Sequence, residues 1–120
     1  MQSLISNMKK FFIITNEHKD MNLAMTNAIS DYIIAKGGTC MHYVSTKSGW
    51  RERNLRRFQP SDIDAECIIV LGGDGTLVRA ARDMASIGIP LIGVNLGTLG
   101  YLCELERSTV YDAIDRLFED

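Results

Sequence analysis

Gly72-Gly73-Asp74-Gly75-Thr76 follows directly on the apolar run Cys67–Leu71. Three glycines let a backbone turn sharply and come close to a ligand. Loops that cradle phosphate usually carry a lysine beside their glycines, because phosphate is anionic. Here a carboxylate stands in the turn instead. A fixed carboxylate suits a hydroxyl that must lose its proton, or a cation riding on phosphates. These residue types point to phosphoryl transfer onto an alcohol, with Asp74 as the proton acceptor. The loop feeds a helix expected to start near Thr76. Backbone N–H groups around Gly73, Gly75 and Thr76, together with the helix dipole, can hold a phosphate. Arg79 lies about one turn further on and is within reach of its oxygens. The plainer reading is a tight strand–helix turn, with Asp74 a simple cap and Arg79 a solvated helix residue.

A second glycine loop, Asn95–Gly100, follows a second apolar run, Leu91–Val94. Five of the ten glycines fall in the two loops: Gly72, Gly73, Gly75, Gly97 and Gly100. In open parallel sheets, ligands gather beyond the carboxyl ends of the strands. Both loops are therefore expected on one rim.

The elements that would carry them alternate. Lys10–Thr15, Thr39–Val44, Cys67–Leu71 and Leu91–Val94 read as strands, mostly continuous apolar runs of the kind buried on both faces. Met21, Ala24, Met25, Ala28, Ile29, Tyr32 and Ile33 recur at helical spacing, with Asp20 as N-cap and Gly37-Gly38 as the stop. A second helix is expected over Thr76–Ser86, with Leu77, Val78, Ala80, Ala81, Met84 and Ala85 apolar and Gly88 ending it. A third starts near Ser108 and places Val110, Ala113, Ile114, Leu117 and Phe118 on one face. Tyr101–Leu105 reads as extended, and Ser45–Pro60 as a loop or short helix. This order predicts an α/β fold: a parallel-sheet nucleotide-binding domain with helices on both faces.

The 120 residues argue for one domain, 1–120, with 1–7 an extension ahead of Met8-Lys9-Lys10. The composition, 46% hydrophobic and 23% charged, is that of a globular protein. A net charge of -2 gives no electrostatic case for nucleic acid or an anionic membrane. No run approaches the roughly 18 apolar residues of a membrane helix, and the N-terminus lacks signal-peptide character. Cys40, Cys67 and Cys103 have no metal-ligand spacing and read as reduced, buried thiols of a cytoplasmic protein. His18 and His42 read as a loop residue and a strand residue without ligand partners. Arg51, Arg53, Arg56 and Arg57, with Glu52 among them, read as a solvated surface, or else as a polyphosphate contact.

Gly72-Gly73-Asp74-Gly75-Thr76 with Leu77-Val78-Arg79-Ala80-Ala81 resembles the first signature of NAD kinases, and Asn95-Leu96-Gly97-Thr98-Leu99-Gly100-Tyr101-Leu102 resembles the second. Tyr101 stands where that signature usually has Phe. Phe12–Asn16 with Lys19-Asp20 is similar to the family's first strand and loop. Gly-Gly-Asp-Gly-Thr alone also resembles diacylglycerol-type lipid kinases, whose sequences diverge after Pro90. A non-catalytic nucleotide-binding or assembly module is the further alternative.

The resemblance implies that Asp74 contacts the 2′-hydroxyl of the NAD adenosine ribose and takes its proton. It implies dinucleotide contacts at Gly75 and Arg79, and places Asn95 and Gly97 near the nucleotide. The implied reaction moves the γ-phosphoryl of ATP, or of polyphosphate, to NAD and gives NADP, with a divalent metal such as Mg2+ accompanying the donor. It implies small-molecule nucleotide partners and a homo-oligomer in the full-length protein. The family continues into a second, mainly β domain that carries an Asn-Glu pair. Asn16-Glu17 is in the wrong place to be that pair. The resemblance is to the N-terminal domain, and the 120 residues are expected to be inactive or nearly so by themselves.

Overall fold

A computed structural model describes residues 8–16, 18–46, 49–51, 63–96, 105–106 and 109–119. The strands are β1 (Lys10–Asn16), β2 (Thr39–Thr46), β3 (Gly49–Arg51), β4 (Cys67–Gly72), β5 (Leu91–Asn95) and β6 (Leu105–Glu106). The helices are α1 (Ala24–Ala35), α2 (Asp74–Met84) and α3 (Val110–Phe118). One sheet has the order β3-β2-β1-β4-β5-β6. All its pairings are parallel except β2 with β3.

Successive residues of a strand face opposite sides of the sheet, and here both sides are covered. Phe11, Ile13, Cys67, Ile69 and Leu71 pack with Ile29 and Ile33 of α1 and Val110 and Ile114 of α3. Phe12, Ile14, Ile68 and Val70 pack with Ala80 and Met84 of α2. β4 is buried at every position, which is why its sequence is unbrokenly apolar. Aromatic pairs reinforce each layer: Phe11 stacks on Phe118 at 5.6 Å, and Phe12 meets Tyr43 edge-on at 4.9 Å.

Asp20 ties α1 to the end of β1. Its carboxylate is 2% exposed and accepts the N–H groups of Met25 and Thr26, each at 2.8 Å. It also accepts the Thr26 hydroxyl at 2.6 Å. Thr15 Oγ1 lies 2.6 Å from Thr26 Oγ1. The Thr26 proton goes to Asp20, so Thr15 is the donor in that bond. The spacing alone predicts Asp20 as the N-cap itself. A 3-10 turn over Met21–Leu23 instead separates it from the helix, and Asn22 and Leu23 take left-handed backbone angles there. The helix ends as expected. Gly37 adopts φ +93°, its N–H bonds to Ile34 O and the Gly38 N–H to Ile33 O, each at 3.0 Å. The buried face of α1 differs from the expected stripe. Thr26 is inside while Ala24 and Ala28 are exposed, because the Asp20 network draws the polar Thr26 inward.

α2 begins at Asp74, two residues before its expected start. Gly73, extended at φ −113°, precedes it, and its carbonyl accepts the Leu77 N–H at 3.1 Å. Its buried residues are Thr76, Ala80 and Met84, with Val78 half exposed and Ala81 and Ala85 outside. α3 starts at Val110, later than expected, with Thr109 in the cap position and no side-chain cap bond. Ser108 lies outside the described residues. Composition predicts a loop or helix over residues 45–60. In fact β2 runs on to Thr46 and pairs with β3, Val44 opposite Arg51. An open sheet edge favours that pairing, and edge position is a tertiary property. The rest of the arginine cluster, from Arg53 to Arg57, lies outside the described residues, as do 1–7 and Cys103.

Cys67 is buried and Cys40 partly so, and both are free thiols. Burial pushes their pKa values up, to about 12 and about 11 respectively, which keeps them protonated and unreactive.

Candidate active site

β1 and β4 are adjacent, but their following helices leave to opposite faces of the sheet. The carboxyl ends of two such strands enclose a crevice at the topological switch point, where ligands of open α/β sheets bind. Asn16 ends β1, and Gly72-Gly73 ends β4.

A cleft of about 440 Å³ opens there, lined by Asn16, Lys19, Gly73, Gly75, Thr76 and Arg79. Its size suits a small-molecule site. Lys19 and Arg79 bring two positive side chains to it from different elements. Arg79 is about a quarter exposed, and its Nε lies 3.9 Å from Asp83 Oδ2, four residues on. A surface pair that long is worth about 0–1 kcal/mol.

The three glycines of the loop have different duties. A Cβ on Gly72 would sit 2.6 Å from Thr76 Oγ1, so this glycine lets α2 pack back on the strand end. A Cβ on Gly73 or Gly75 would meet nothing within 4 Å. Left-handed glycines occur elsewhere among the described residues, at Gly37 and Gly88, so the turn itself makes no such demand. Packing among the described residues thus gives no reason for glycine at 73 and 75. Close approach of a ligand to the backbone does.

Asp74 is half-buried at the first position of α2 and is not among the cleft-lining residues. Five positions at about 100° each put it roughly 140° round the helix from Arg79. Asp74 and the cationic cleft therefore flank the helix end on different sides. Asn95 closes β5 opposite Gly72, and the Leu96 N–H donates to Gly72 O at 3.0 Å. The base of the second loop is thereby fixed to the first. Gly97 and Gly100–Leu102 lie outside the described residues. Of the expected site residues, Gly73, Asp74, Gly75, Thr76, Arg79 and Asn95 come together on one rim.

Asn16 and Lys19 are not among the site residues expected from the sequence. The Asn16 carboxamide accepts the His18 N–H at 3.0 Å and donates to Thr76 Oγ1 at 3.3 Å, across the crevice. The signal that could have found them is the position of both residues just beyond the first strand of an alternating α/β order. Among the described residues no group of three or more His, Cys, Asp or Glu side chains could hold a metal ion.

The family model for the ATP-NAD kinase N-terminal domain matches residues 11–120. The chain belongs to the NAD kinase family. An NAD kinase of Agathobacter rectalis is 51% identical over 94% of this chain and 40% of its own length. One of Lachnoclostridium phytofermentans is 45% identical, covering 92% and 38%. One of Acetivibrio thermocellus is 39% identical, covering 94% and 39%. The chain thus spans about two-fifths of the length of these curated relatives. The matched residues include Gly72–Thr76 and Arg79, and of these Gly73, Gly75, Thr76 and Arg79 line the crevice. No described helix is long and apolar enough to cross a membrane.

Proposed function

We propose that this chain is the nucleotide-binding part of an enzyme that phosphorylates NAD at its 2′-hydroxyl, with ATP or polyphosphate as donor. The observation that carries this reading is the rim itself. A carboxylate and a cationic cleft flank one helix end at the switch point, in a chain of the NAD kinase family.

Asp74 accepts the proton of the ribose 2′-hydroxyl as that oxygen attacks the γ-phosphorus. The new O–P bond forms as the bond to the leaving phosphate breaks, so NADP and ADP (or a shortened polyphosphate) leave and the proton rests on Asp74. Phosphate oxygens are held by the N–H groups at Gly75 and Thr76 and by Arg79, with Lys19 opposite. Asn95 and Gly97 contact the nucleotide from the second loop. A divalent ion such as Mg2+ would be carried on the donor's phosphates, in keeping with the lack of an acidic cluster among the described residues. That ion would screen the phosphate charge.

Residues 8–120 form one domain in this reading, and a β-rich domain of the kind the family carries completes the dinucleotide pocket. The complete enzyme is a cytoplasmic homo-oligomer. The test is to assay the 120 residues alone and fused to the C-terminal remainder of the Agathobacter rectalis relative. Negligible NADP formation alone and turnover after fusion is expected. Failure of the fusion to form NADP, although folded, contradicts the proposal.

A further inference from the structure

The orientation of the Asn16 carboxamide is dictated by its neighbours. The His18 backbone N–H can only donate, so the atom it meets at 3.0 Å is the carboxamide oxygen. The NH2 group then faces Thr76 Oγ1 at 3.3 Å, and the Thr76 hydroxyl is the acceptor. Among the described residues that hydroxyl enters no other hydrogen bond. Thr76 is only 9% exposed and lines the cleft. A buried donor without an acceptor is costly, and an anion in the cleft would supply the acceptor.

We propose that Asn16 is a positioning residue that holds Thr76 Oγ1 as an acceptor and so presents its O–H to the cleft as a donor to a phosphoryl oxygen. The inference rests on the reading of the cleft as a phosphate site. Lys19 and Arg79 make its walls cationic, and Gly73 and Gly75 leave the backbone accessible. The ligand class is a phosphate chain, either the donor's triphosphate or the dinucleotide's diphosphate.

Asn16→Asp is nearly isosteric and still accepts the His18 N–H. Its second oxygen can only accept, so it draws the Thr76 proton away from the cleft. Thr76→Ser keeps the hydroxyl and Thr76→Val removes it. Titration calorimetry of the full chain with inorganic triphosphate, and separately with NAD, reads the effect. Asn16→Asp and Thr76→Val are each expected to weaken one of these ligands about tenfold or more. Thr76→Ser should stay within about threefold, and thermal unfolding of Asn16→Asp should remain close to that of the wild type. Added negative charge alone would also weaken binding, so the double variant decides between the two causes. If the carboxylate introduced by Asn16→Asp acts through the Thr76 proton, that substitution adds almost nothing in the Thr76→Val background. The arm that weakens identifies the phosphate source.

Additive losses in the double variant, unchanged binding in Thr76→Val, or no binding of either ligand by the wild type would overturn the proposal. None of these touches the role of Asp74, which is tested separately through NADP formation.

Discussion

Gly72 at the end of β4 and Thr76 in the first turn of α2 are in contact, since a Cβ on Gly72 would lie 2.6 Å from Thr76 Oγ1 and 2.9 Å from its Cβ. The strand end and the helix start are thereby locked together at the crevice. Thr76 is also held by Asn16, so it cannot swing aside freely. Gly72→Ala should cost about 1–3 kcal/mol, the usual effect of overpacking. Urea unfolding measures it. A midpoint unchanged from the wild type would show that the contact yields without strain.

Asp20 satisfies two helix-start amides and a buried hydroxyl at once. Asp20→Ala leaves the Met25 and Thr26 amides without this acceptor, and the Thr26 hydroxyl must turn to Thr15 Oγ1 instead. A lost cap and orphaned buried donors together should cost about 2 kcal/mol or more. Hydrogen exchange of the Met25 and Thr26 amides should accelerate markedly. Retained protection at both would contradict the capping role.

α1 and α3 are joined through Asp115, which accepts the Tyr32 hydroxyl at 2.6 Å and pairs with Lys36 Nζ at 2.9 Å. The Tyr32 hydrogen bond first, then the one from Lys36, lowers the Asp115 pKa below its ordinary 3.8. A depressed carboxylate pKa stabilises the fold above the unfolded value, and the effect is lost as pH falls through the folded one. Asp115→Asn should therefore be less stable than the wild type at neutral pH. The difference should close as pH drops below about 4. Thermal unfolding from pH 7 to 2.5 follows this, and a pH-independent gap would rule the linkage out.

Much of the architecture is legible in the residues, because apolar runs and helical spacing report burial directly. β4 and both glycine loops stand out for that reason. The features that are not legible depend on what packs against what. Ala24 and Ala28 match the helical period of α1 yet face outward, because Thr26 is drawn in by Asp20. β3 forms because β2 offers an open edge. Asn16 and Lys19 belong to a polar stretch whose importance emerges only once β1 lies beside β4. Asp74 is recognisable by type, but its place on the other side of the helix from Arg79 follows from α2 starting at Asp74 itself.

NADP formation by Asp74→Asn, made in the active fusion polypeptide and compared with the same polypeptide unchanged, probes the proton acceptor itself. Asparagine keeps the shape and removes the base. Turnover should fall about 100-fold or more, with NAD binding and thermal stability nearly unchanged. Undiminished NADP production by a folded Asp74→Asn variant would contradict the assignment of Asp74 as the group that activates the ribose hydroxyl.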